Sequence, residues 1–83
     1  LVNRVVPEAD LDAFVAEWTQ RLIALPPIAL AQSKRLLNNA MNVTFEEALD
    51  DEGVAQSVNF STKDTPEAIA AWVEKRPPVF KGR

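Results

Sequence analysis

The densest chemistry-bearing cluster in the sequence is the acidic run Glu46, Glu47, Asp50, Asp51 and Glu52. Glu47 and Asp51 stand one helical turn apart, so their carboxylates could pair for proton transfer or hold a hard cation. A plainer role is favoured. Negative charge near a helix N-terminus is stabilised by the macrodipole, and a solvated acidic face needs no ligand. An EF-hand loop is excluded, because Ala48 occupies the place of its first aspartate.

The second cluster closes the chain: Glu74-Lys75-Arg76-Pro77-Pro78-Val79-Phe80-Lys81-Gly82-Arg83. Cations after a helix compensate its negative end. The sharper reading is a phosphate contact by Lys75 or Arg76 with Phe80 as a docking anchor, and on the residues alone the compensating role is preferred. Asn42-Val43-Thr44 and Asn59-Phe60-Ser61 match the glycosylation acceptor pattern, but without cysteines or a secretory signal both are read as chance. Histidine, cysteine and tyrosine are absent. The commonest general base and zinc ligand are therefore missing, serine and threonine have no histidine to activate them, and no disulfide frame exists. The expectation is no catalytic residue, no metal ligand and no cofactor on this chain.

The elements that would position these groups are mostly helical. Leu1-Val2-Asn3-Arg4-Val5-Val6 is rich in β-branched residues and stops at Pro7, which reads as a strand. No other segment does, so this strand is an orphan that needs partners from elsewhere. Asp10 is the expected N-cap of a first helix whose Leu11, Phe14, Val15, Trp18, Leu22 and Leu25 form one apolar stripe. Pro26-Pro27 ends it, with Pro27 suited to the first turn of a second helix over 28–41. Thr44-Phe45-Glu46-Glu47 is a capping box opening a third helix that runs to about Phe60, weakened at Gly53. Thr65-Pro66-Glu67 opens a fourth with Thr65 as cap, carrying Ile69, Trp72 and Val73 on its apolar face and stopping at Pro77-Pro78. Phe14, Trp18, Phe45, Phe60 and Trp72 are all spaced for burial.

The expected fold class is all-α: a short N-terminal strand followed by a four-helix unit. At 83 residues this is one domain, with 1–7 as the end of a core that lies elsewhere, helices over 10–76 and a basic tail over 77–83. A chain this short buries only somewhat more than ~60% of its unfolded surface. Apolar residues make up 47% and charged residues 25%, a globular rather than disordered balance. The net charge of −3 argues against a nucleic-acid partner, and no apolar run approaches the roughly 20 residues of a membrane span. No signal peptide is read, because Arg4 interrupts the first apolar residues, and the expected location is cytoplasmic. The chain opens on Leu1 rather than methionine, so it is expected to be a fragment or a processed product.

Three stretches together resemble the end of enoyl-CoA hydratase/isomerase (crotonase) enzymes. They are Leu1-Val2-Asn3-Arg4-Val5-Val6-Pro7; Pro26-Pro27 with Ala29, Lys34 and Thr44-x-x-Glu47-Ala48-Leu49; and Thr62-x-Asp64-x-x-Glu67-Ala68 followed by Glu74-Lys75-Arg76-Pro77 and Phe80-x-Gly82-Arg83. The resemblance covers essentially the whole chain in the family's order. It implies the C-terminal part of a crotonase-like fold, in a parent enzyme (hydratase or isomerase) that acts on acyl-CoA thioesters. There an oxyanion hole of two backbone amides stabilises the thioester enolate, and in hydratases two glutamates handle water and protons. All those groups belong to the amino-terminal core. What the resemblance leaves to this segment is packing on that core, contacts with neighbouring subunits in a homotrimer or hexamer, and the rim of the CoA site. Lys75 matches a lysine that in some members approaches the CoA adenine and 3′-phosphate from a neighbouring subunit, whereas Gln56 departs from members with an aromatic residue against the adenine. The rival reading is a free-standing helical protein-interaction module, and a remoter one is a carboxylate-rich cation binder.

Overall fold

A computed structural model describes residues 1–83. A 3-10 turn at Glu8–Asp10 leads into four helices: α1, Leu11–Ile23; α2, Pro27–Asn39; α3, Phe45–Ser61; and α4, Asp64–Glu74. The strand expected over residues 1–6 is not formed. A strand exists only as half of a hydrogen-bonded ladder, and the chain holds no second strand to pair with it.

Local chemistry sets most of the helix boundaries. The Pro7 carbonyl accepts the Asp10 amide at 3.0 Å, and the turn runs straight into α1. Asp10 therefore sits at φ −99°, ψ −6° and its side chain caps nothing, in place of the expected N-cap. Pro27 disfavours helical geometry at Pro26, which lies at ψ 115°, and itself occupies the first turn of α2. At α3 the capping box is complete. The Glu47 amide donates to Thr44 Oγ1 at 3.3 Å, while the Thr44 amide donates to Glu47 Oε2 at 2.7 Å. The Thr44 amide and hydroxyl hold the Glu47 carboxyl below its ordinary pKa. The helix then continues unbroken through Gly53.

α4 departs from expectation at its start. Lys63 is the cap residue and Asp64 the first helical one, so Thr65 lies inside the first turn. Its hydroxyl donates instead to the Asn59 carbonyl at 2.7 Å, which also accepts from Thr62 Oγ1 at 2.7 Å. These two bonds tie the start of α4 to the end of α3.

Helix α2 packs against α3 and α3 against α4, whereas α1 packs chiefly on its own 3-10 turn. The result is a slab of 44 × 39 × 19 Å with a radius of gyration of 16.1 Å. A compact chain of this length would have a radius near about 12 Å. Only Ala55, Asp64 and Ala71 are buried. The accessible surface is 7104 Å², against about 4,900 Å² for a compact monomer of this mass. The apolar stripes of α1 and α4 form, but the chain leaves most of their large side chains exposed. Phe45, Phe60 and Trp72 are exposed rather than core, and Met41 is 94% exposed. Phe14 is half-buried beside Trp18, their ring centroids 5.7 Å apart, and the Arg21 guanidinium lies 5.6 Å from the Trp18 ring. No helix is long and apolar enough to cross a membrane.

Candidate functional site

Two of the five residues of the acidic run serve structure. Glu47 serves the capping box, and Asp51 faces Arg35 of α2 at 3.6 Å across the α2–α3 contact. No group of three or more carboxylates is placed to share a metal ion. Glu47 therefore anchors the head of α3, and Asp51 faces α2.

The basic cluster has a defined geometry. Helix α4 ends in a Schellman turn: the Lys75 amide donates to the Trp72 carbonyl at 3.3 Å and the Arg76 amide to the Ala71 carbonyl at 3.0 Å. This puts Lys75 in the left-handed region at φ 55°, ψ 38°, the one non-glycine residue of the chain with positive φ. Such a conformation costs an L-residue about 1–2 kcal/mol, so the surrounding contacts must hold it.

Arg76 supplies those contacts. Its Nη1 and Nη2 donate to the two carboxylate oxygens of Glu67 at 2.6 and 3.0 Å, its Nε donates to Glu74 Oε2 at 2.5 Å, and Nη1 also reaches the Pro77 carbonyl at 3.3 Å. The guanidinium is thereby committed. Lys75 makes no ion pair and is exposed. Of the two cations that sequence reasoning put forward for a phosphate, one is locked into the fold and the other projects from a strained turn.

Beyond the turn, the tail folds back along α4. The Val79 amide donates to Glu67 Oε1 at 2.9 Å. Together the Arg76 pairing and this amide hold the Glu67 carboxyl down at about 2. One turn earlier, Asp64 accepts the amides of Lys81 and Gly82 at 2.7 and 2.8 Å, and the Lys63 amide donates to the Arg83 carbonyl at 2.6 Å. Asp64 is 6% exposed, and these two amides satisfy an otherwise costly buried carboxylate. Gly82 is required here: its φ is 67°, and an added Cβ would stand 2.7 Å from Pro27 Cγ. Phe80 is half-buried and lines a small concavity together with Pro26, Ile28, Ala29 and Ala68. The 77–83 segment is thus strapped across α4 and α2 rather than free.

Trp72 was expected in the core and is 82% exposed, on the last turn of α4 three residues before Lys75. Ala71, Trp72, Val73, Lys75 and Arg76 line one shallow concavity. An open indole beside an unpaired ammonium can stack a flat ring and take an anion at once. Spacing alone puts Trp72 within three residues of Lys75, although Lys75 follows the end of α4 in the left-handed turn. It could not reveal which face of α4 the rest of the chain leaves open. Gln56, where the aromatic contact was expected to be missing, is exposed on α3 and lines no part of this concavity.

Comparison with known proteins agrees along the whole chain. The family model for enoyl-CoA hydratase/isomerase matches residues 1–83. A short-chain-enoyl-CoA hydratase of Clostridium acetobutylicum is 34% identical over 76 residues, covering 92% of this chain and 29% of that protein. A probable enoyl-CoA hydratase of Mycobacterium leprae is 37% identical over 82 residues, covering 99% and 31%. The crystal structure of an enoyl-CoA hydratase from Bacillus anthracis superimposes with a TM-score of 0.90 at 32% identity, over 95% of this chain and 31% of that one. The chain thus spans about a third of the length of the proteins it matches.

Proposed function

The chain belongs to the enoyl-CoA hydratase/isomerase family, and from that premise we propose that it is the carboxy-terminal helical segment of an enzyme acting on acyl-CoA thioesters. Its two tasks are subunit assembly and completion of the CoA-site rim. It performs no bond-making step alone, since the oxyanion amides and the glutamates expected of the family belong to the amino-terminal core. The reading takes the parent to be a cytoplasmic homotrimer or hexamer.

One observation carries the proposal: apolar faces amounting to most of the chain's large hydrophobic side chains lie open, from the α1 stripe through Met41 and Phe45 to Phe60. Surface of that kind is stable in water only when another surface covers it, and the family supplies two candidates, the enzyme's own core and a neighbouring subunit. The rim role is supported by the free Lys75 beside the open Trp72, a pair fitted to the 3′-phosphate and adenine of CoA.

Adding the purified chain to a family core that lacks this segment tests the reading. The expected result is a larger, discrete oligomer with tighter CoA binding. If neither mass nor affinity changes and the chain remains a stable monomer, a free-standing interaction module is the better description.

A further inference from the structure

Two adjacent cations end α4, and their fates differ for a reason that can be named. Arg76 is clasped by Glu67 through a two-bond fork and by Glu74 through Nε, while Lys75 stands in the left-handed turn with no acidic partner. Glu67 also accepts the Val79 amide, so one carboxylate fixes the chain on the far side of the turn twice over. On the near side the turn is fixed by the Arg76 amide reaching the carbonyl of buried Ala71.

We propose that Glu67 is a positioning residue: by holding Arg76 it fixes the left-handed turn and leaves Lys75 as the cation aimed at the 3′-phosphate of the CoA thioester. The inference rests on the reading of Lys75 as a phosphate contact. Without the clasp Lys75 returns to the commoner right-handed or extended basins, and its ammonium no longer occupies one place. Arg76 does not substitute, because Glu74 still accepts from its Nε when Glu67 no longer holds it.

The experiment compares CoA with dephospho-CoA thioesters in the complete enzyme carrying this segment, for Glu67→Gln, Arg76→Gln and Lys75→Ala. The readout is the ratio of kcat/KM between the two substrates, which reports only the 3′-phosphate. Each variant should lower that preference by about twofold to fivefold, the scale of one exposed charge contact. Arg76→Gln breaks the fork from the other side and leaves Glu67 able to accept the Val79 amide, so it decides the question if Glu67→Gln fails to fold. If Lys75→Ala lowers the ratio and the two clasp variants do not, the positioning role is overturned and the Lys75 contact stands. A loss in the clasp variants that is equal for both substrates marks a purely structural pair and also overturns it. If Lys75→Ala leaves the ratio unchanged, the phosphate contact itself falls and the positioning role with it.

Discussion

Glu67 and Arg76, nine residues apart, meet in a two-bond fork at 2.6 and 3.0 Å that closes the last two turns of α4 over the start of the tail. The Glu67 carboxyl lies at about 2 in this arrangement, against 4.5 for an unperturbed glutamate, with the Arg76 hydrogen bonds the largest cause. A carboxylate whose pKa is lower folded than unfolded stabilises the fold above its unfolded pKa, and that contribution is lost as pH falls toward the folded value. The clasp should therefore be fully closed at pH 5 and open between about pH 4.5 and 2. Hydrogen exchange at the Val79 amide checks this. Protection lost already at neutral pH, or unchanged well below pH 2, would contradict it.

The two glycines should respond to alanine with opposite signs. Gly53 lies mid-helix with nothing within 4 Å of an added Cβ, so Gly53→Ala should stabilise α3 by about 0.5–1 kcal/mol. Gly82 combines φ 67° with a Pro27 clash, so Gly82→Ala should cost about 1–3 kcal/mol of tail docking. Urea unfolding reads the first change, and exchange at the Lys81 amide reads the second. Equal responses at the two sites would refute the tail geometry.

Helix capping gives a second contrast. Thr44 bonds the Glu47 amide, and Thr44→Ala should cost about 1 kcal/mol. Asp10 caps nothing with its side chain, so Asp10→Ala should stay within about 0.5 kcal/mol. Thermal unfolding of both variants separates the two sites.

What the sequence disclosed and what it withheld divide along the distance over which each interaction acts. The Thr44–Glu47 box, the Pro26-Pro27 break and four helices of nearly the expected extent all follow from neighbours within a turn. The clasp joins Glu67 to Arg76 nine residues away, Asp64 accepts amides 17 and 18 residues away, and no local pattern announces either pairing. Thr65 has every attribute of a cap, yet its hydroxyl serves the Asn59 carbonyl of the preceding helix, a contact set by how α3 meets α4. Periodicity located the apolar faces of α1 and α4 without saying what lies against them. Trp72 has the spacing of a core residue yet stays exposed, and the concavity it lines with Lys75 depends on which face of α4 the fold leaves open.

Alone in water, the chain should associate. The open apolar faces of α1, Met41, Phe45 and Phe60 exceed what a monomer of this size carries. Sedimentation equilibrium should give a mass that rises with concentration. A single monomer mass up to millimolar concentration would show that the chain covers these faces by some other arrangement.

The most direct test of the central claim is the amide spectrum of the segment docked on a family core that lacks it, titrated with CoA and then with dephospho-CoA. The account predicts shifts centred on Trp72, Lys75 and Arg76 that appear with CoA and largely vanish without the 3′-phosphate. Shifts confined to the core, with the turn at Lys75 silent for both ligands, would contradict a place for this segment in the CoA site.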